Sequence, residues 1–203
     1  GAGLRQTFLN APSATVYGLE LEARKYFDIP EPYQFLGGDA RLFAAANYTY
    51  GKSEVKAGSG DAVRSLQGGG VPQPATDLIQ DGSRLQGQSE HLANLQFGIE
   101  DEDSQTQATI LVNYVSDRIS ARGILGAGGV TVQPDFIQDP GVTVDFVLRQ
   151  GFTLFDGREF TFGLEARNLT GEDFEEYQEF GAGRVNLNTY DVGTSLSLSL
   201  TSR

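Results

Sequence analysis

Apolar and polar residues alternate one by one along several stretches of this chain. Between Tyr17 and Phe27 the apolar positions Tyr17, Leu19, Leu21 and Ala23 are separated by Gly18, Glu20, Glu22 and Arg24. The rhythm returns at Ala93, Leu95, Phe97 and Ile99 against Asn94, Gln96, Gly98 and Glu100, and again at Phe160, Phe162, Leu164 and Ala166 against Thr161, Gly163, Glu165 and Arg167. Side chains leave a β-strand on opposite faces at period two, so each stretch predicts a strand with one dry face and one wet face.

Punctuation by Gly, Pro and acidic turns divides the chain into hairpins. Strands are predicted over residues 4–9, 15–27, 39–50, 86–100, 105–116, 142–155, 158–169 and 187–202. The shorter connections are 28–38, opened by Asp28, Pro30 and Pro32; 101–104, the polar turn Asp101, Glu102, Asp103 and Ser104; and Asp156-Gly157, a strong two-residue hairpin signal. The segments 51–84, 117–141 and 170–186 show no sustained period and read as long loops. Short and long connections therefore alternate. In an up-and-down meander alternate connections lie at the same end, which gathers all the long loops on one side.

The dry faces require a covering. Lipid would make a transmembrane barrel, and a second sheet would make a soluble, secreted β-sandwich that acts as a ligand-binding module. Several runs reach about ten residues, the length of a tilted bilayer crossing, against about five or six for common soluble strands. Tyr17, Phe27, Tyr48, Tyr50, Tyr114, Phe152, Phe160 and Tyr190 stand near strand ends on the apolar phase, where a barrel carries its aromatic girdles. The polar phase holds Glu20, Glu22, Arg24, Arg41, Asp145, Arg149, Glu165 and Arg167, a mixture of signs suited to a wet lumen. The expected fold is all-β, an antiparallel up-and-down transmembrane barrel.

Charge and composition narrow the function. The 203 residues carry a formal charge of -12, which opposes a phosphate-tracking surface and excludes nucleic acid as the expected partner. With no cysteine there is no disulfide, thiolate metal site or cysteine nucleophile. No run of about 18 apolar residues exists to make a spanning helix, a test that alternating barrel strands never meet. The absence of methionine reads as part of a longer polypeptide or a processed product.

In order and spacing these segments resemble the C-terminal barrel half of TonB-dependent outer-membrane receptors. Residues 10–23, with Gly18, Leu19 and Glu20, resemble that family's recurring strand entry, and Asn47, Tyr48, Thr49 and Tyr50 its next upward strand. Residues 85–98 resemble the following descending strand; Pro134, Asp135 and Phe136, then Val144 and Asp145, residues 166–171 and residues 190–200 complete the pattern. The resemblance spans nearly the whole chain. It implies about eight strands of a barrel of about 22, with the C-terminus and the short turns in the periplasm and the long loops outside the cell. It also implies, as partners, outer-membrane lipid, an N-terminal plug domain of the same receptor, the TonB complex and a small solute such as a ferric siderophore, cobalamin or carbohydrate. No plug or TonB box is visible, and the chain stops at Arg203 where family members commonly finish on an aromatic residue.

Enzymatic chemistry is not expected. His91, the single histidine, follows Glu90, and neighbours along a strand point apart, so the pair cannot converge on a metal. Glu20 and Glu22 share a face about 7 Å apart, a separation a glycosidase would use, but they read as hydrated lumen charge. Asp101 with Asp103, and Glu175 with Glu176, invite the same comparison. The Gly-rich stretches 58–60, 68–70 and 126–129 lack the Lys-Ser/Thr and helix of a phosphate loop. No cofactor or metal is expected. The acidic, aromatic loop around Asp173, Phe174, Glu176, Tyr177, Phe180 and Arg184 is the candidate ligand contact.

Overall fold

A computed structural model of the chain describes residues 8–30, 40–65, 69–154 and 157–202. The predicted strand over 4–9 falls mostly outside them, as do the tip of the 28–38 connection and Asp156 of the hairpin signal. In chain order the strands are β1 (Ser13–Asp28), β2 (Arg41–Lys56), β3 (Ala62–Arg64), β4 (Pro72–Pro74), β5 (His91–Asp101), β6 (Thr106–Val115), β7 (Arg118–Ala121), β8 (Ile124–Leu125), β9 (Thr131–Gln133), β10 (Phe136–Asp139), β11 (Gly141–Leu154), β12 (Arg158–Arg167), β13 (Phe174–Phe180), β14 (Gly183–Tyr190) and β15 (Ser195–Ser202).

Seven of them form one antiparallel meander in the order β1-β2-β5-β6-β11-β12-β15. Its strands follow one another in sequence order, and the strands skipped lie within the three long connections. The sheet does not close among the described residues, and β1 and β15 are its edges. The β5–β6 turn is held by Asp101, which is almost fully buried and accepts from the Ser104 hydroxyl at 2.7 Å and the Asp103 amide at 3.1 Å. Gly157, beside the β11–β12 turn, has φ +74°, a conformation that glycine adopts without strain.

Register aligns the two phases across the sheet. Ala23, Ala46, Leu95, Val112 and Val144 form one apolar row, and Phe27, Leu42, Ile99, Ala108, Leu148, Leu164 and Leu198 form another. This face is open: Leu19, Leu21, Leu95, Phe97, Ile110 and Phe152 are exposed, and Leu198 is 73% accessible. The opposite face carries the row Glu22, Asn47, Asn94, Asn113 and Thr143, in which Asn94 donates to Asn47 at 2.7 Å. The buried apolar cluster of Ala57, Val63 and Ala75 lies in the first long connection, packed by Leu9 and Ile79, rather than beneath the sheet.

The structure corrects the three predicted loops and some strand ends. Strand β2 runs six residues past Tyr50, and residues 86–90 precede β5. Segment 51–84 contains the β3–β4 hairpin, segment 117–141 contains β7 to β10, and segment 170–186 supplies β13 and the start of β14. These strands are mostly two to four residues long, too short to display a period. The predicted closing strand 187–202 is two strands. Gly193 at φ +70° donates its amide to the Asp191 carboxylate at 2.6 Å, a local turn that separates β14 from β15. Tyr190 consequently belongs to a second sheet, not to an aromatic girdle of the first.

Candidate functional site

The second sheet, in the order β14-β13-β10-β7, combines the second and third long connections. The first long connection docks against it: the Gly87 amide donates to the Ile119 carbonyl at 2.8 Å and Gln86 Nε2 to the Ser120 carbonyl at 2.8 Å. Two arginines tie the junction. Arg84 Nη2 donates to Asp117 Oδ2 at 2.8 Å, and Arg122 Nη1 to Asp135 Oδ2 at 2.7 Å while its other terminal nitrogen bonds the Arg84 carbonyl. The hydrogen bond to Asp117 holds the Arg84 guanidinium charged beyond its ordinary range. The three long connections therefore make one assembly at one end of the large sheet.

This small sheet separates the candidate ligand residues by face. On one face Ile119, Ile137 and Tyr177 are register partners, and Tyr177 is only 9% exposed. The Arg184 guanidinium lies 3.7 Å from the Tyr177 ring centroid and pairs with Glu175. That hydrogen bond to Glu175 raises the Arg184 pKa, and burial pushes the Tyr177 phenol up, with Glu179 and Asp117 adding to it. Tyr177 is thus buried as packing, with the exposed Arg184 lying across its ring.

The other face carries Phe174 and Glu176. Phe174 stacks on its register partner Tyr190 with centroids 4.8 Å apart and planes 12° from parallel. The Glu176 carboxylate accepts from Ser120 Oγ at 2.6 Å and from Asn188 Nδ2 at 2.7 Å. Its partner Gln138 accepts from Arg118 Nε at 3.0 Å, which continues the row across all four strands. Phe180 is 68% exposed at the hairpin end, and Asp173 is exposed ahead of β13. Reading the sequence missed Arg118, Ser120, Gln138 and Asn188. They lie on strands shorter than a readable period or in the misplaced closing strand, and Phe-Ile-Gln-Asp of β10 does not alternate.

Register places Glu20, Glu22, Arg24, Arg41, Asp145, Arg149, Glu165 and Arg167 on the polar face of the large sheet. Arg41 meets its cross-strand neighbour Glu100 at 3.4 Å, and Arg167 meets Glu165 at 3.0 Å. Asp145 accepts the Asn168 amide at 2.8 Å and so anchors the start of the third long connection. Arg24 lies over Tyr26 and Phe43, 4.9 and 5.3 Å from their centroids. Arg149 lines a hollow of about 320 Å³ at the short-turn end with Glu100, Asp101 and Glu102. Glu20 and Glu22 stand far from it along the strand. His91 is on the apolar phase at the loop end, where its Nδ1 is 2.8 Å from the Tyr48 hydroxyl and its ring 5.3 Å from that of Tyr50. No group of three or more His, Asp or Glu able to hold a metal occurs among the described residues. No family model, curated protein or solved structure matches the chain.

Proposed function

We propose that this chain is a section of the wall of an outer-membrane barrel, the C-terminal part of a TonB-dependent receptor whose loop-end sheet faces outward and captures a scarce solute for import. The observation that carries this reading is the continuous apolar face of a seven-stranded meander left open, with a polar face behind it. Removing one large apolar side chain from water is favourable by about 1.5–3 kcal/mol, so a face of this extent requires an apolar covering. Its dimensions suit a bilayer. Val142, in register with Tyr114, marks the upper aromatic level and Phe152, in register with Phe160, the lower. Ten rises separate them, about 34 Å along the strand, or about 26 Å after a tilt near 40°. Tyr48, Tyr50 and His91 cluster at the upper level, apolar in body and polar at the tip, as an interfacial belt requires.

On this reading the polar face lines the lumen, an N-terminal plug occupies it, and the TonB complex supplies the energy. These 203 residues contain no cysteine, so a spin label at a cysteine introduced here reports one site once any cysteine elsewhere in the protein is replaced. In the whole protein that carries this chain, purified in liposomes, labels at Leu95→Cys and Leu198→Cys are expected to be relaxed by oxygen and shielded from a water-soluble nickel chelate. A label at Asn94→Cys is expected to show the reverse. In parallel, Leu198→Arg, in the row of Leu148 near the middle of the span from Val142 to Phe152, is expected to cost about 2–4 kcal/mol at the bilayer midplane, against about 0.5 kcal/mol on a water-exposed surface. Nickel access at Leu95→Cys, or extraction of the protein by aqueous buffer without detergent, overturns the reading.

A further inference from the structure

The polar row on the small sheet satisfies its own contacts incompletely, and what remains has a defined chemistry. Arg118, Gln138, Glu176 and Asn188 are register partners on four adjacent strands. Neighbouring strands are about 4.8 Å apart, so the row extends about 14 Å. Glu176 spends one oxygen on Ser120 and the other on Asn188. Among the described residues, the terminal guanidinium nitrogens of Arg118, Nε2 of Gln138 and Oδ1 of Asn188 have no protein partner. The row thus offers planar donors at one end and an acceptor at the other.

Two residues along the strands from Glu176 and Asn188, on the same face, stand Phe174 and Tyr190. Their rings stack on each other, and because β14 is the sheet edge, no strand among the described residues covers the outer side of Tyr190, which is 56% exposed. An aromatic wall beside a row of fixed amide, guanidinium and carboxylate groups matches a ring with an apolar C–H face and an equatorial hydroxyl rim. The single guanidinium and single carboxylate cancel, so the row favours neither an anion nor a cation. The chain as a whole, at -12, repels anions.

We propose that this row is a binding trough for a neutral oligosaccharide, two or three sugar rings lying across β7, β10, β13 and β14 against the Phe174–Tyr190 wall. The proposal names the cargo class of the receptor reading and rests on it only for the outward position of the loop end. The trough itself is a property of the small sheet.

The test is calorimetric titration of the whole protein with maltohexaose, cellohexaose and xylohexaose, and, as charged and bulky alternatives, a ferric tricatecholate and cyanocobalamin. At least one hexaose is expected to bind. Tyr190→Ala and Gln138→Ala are each expected to weaken it about tenfold, the loss of one stacking surface or of one well-placed hydrogen-bond partner. Tyr190→Phe is expected to retain binding, as is Phe180→Ser, which alters the same hairpin outside the trough. Gln138 is outside the β13–β14 hairpin, so its variant remains informative if Tyr190→Ala disorders that hairpin. Failure of all three hexaoses, hexaose binding indifferent to Tyr190→Ala and Gln138→Ala, or a ferric tricatecholate or cobalamin that binds through those residues in place of sugar overturns the proposal. Sugar binding by a protein that needs no detergent would refute the membrane reading alone, and a membrane-embedded protein that ignores sugar would refute this inference alone.

Discussion

Substituting Gly98 is expected to break a specific joint between β2 and β5. Phe43 belongs to the polar phase of the large sheet yet is only 4% exposed. It lies over its register partner Gly98, with Tyr26 beside it at 6.2 Å between centroids and Arg24 above. A Cβ on residue 98 would fall 2.5 Å from Phe43 Cε1 and 2.6 Å from the Ala108 carbonyl oxygen. The carbonyl is backbone and cannot swing away, so the ring must lift. Overpacking costs about 1–3 kcal/mol, and a lifted ring forfeits part of the about 1.5–3 kcal/mol of its burial. Gly98→Ala is therefore expected to destabilise by about 2–4 kcal/mol. Phe43→Ala alone is expected to cost about 3–5 kcal/mol, the usual range for a buried Phe. Once the ring is gone, Gly98→Ala retains only the carbonyl clash, so the two changes should fall short of additivity by about 1–3 kcal/mol. Equilibrium urea unfolding of the protein, followed by circular dichroism, measures all four species. Additivity within about 0.5 kcal/mol would show that the ring does not sit in the glycine slot and would refute the reasoning.

Other parts of the molecule give further expectations. Tyr177→Phe is expected to remove an alkaline transition of the loop-end sheet. Burial raises the folded pKa of the phenol above its ordinary value near 10, so its stabilising contribution is complete below that value and is lost as pH rises through the folded pKa. Hydrogen exchange of β13 across alkaline pH is the measurement, and an unchanged transition in the variant removes Tyr177 as its cause. Thr109→Val is expected to be neutral or to stabilise by about 1 kcal/mol, because Thr109 Oγ1 is buried without a hydrogen-bond partner among the described residues. A clear loss of stability in urea would mean that the hydroxyl is satisfied. Arg122→Ala is expected to loosen the loop junction by about 1–3 kcal/mol, since Asp135 and the Arg84 carbonyl both lose a charged donor. Limited proteolysis should cut the variant within residues 117–141 more rapidly than the native protein, and equal rates would count against the junction.

The large sheet was legible because its strands are long. Eight residues of alternation in each of β1 and β5 establish the phase, and the acidic turn at Asp101 and the glycine at Gly157 mark the reversals. What stayed hidden are structures whose order comes from contacts distant in sequence. Strands β7 and β10 have four residues each, and they become strands by pairing with each other and with β13. The Phe174–Tyr190 stack and the Ser120–Glu176 bond join residues 16 and 56 positions apart, and no local pattern announces either. The stretch from Phe174 to Phe180 was recognisable as aromatic and acidic, but which of its residues pack and which face outward depends on strand phase. That phase assigns Tyr177 to the interior and Glu176 to the open side.

Among the described residues the meander has an uneven number of strands, which limits how its two open edges can be covered. Strand β1 leads from the loop end to the short-turn end, each successor reverses, and the seventh, β15, points the same way as the first. Its two edges cannot seal against each other as an antiparallel pair. A second copy laid beside it in the same orientation brings only edges of that same direction. If this sheet were closed with alternating strands throughout, the added strands would be odd in number, beginning and ending on strands that climb toward the loops.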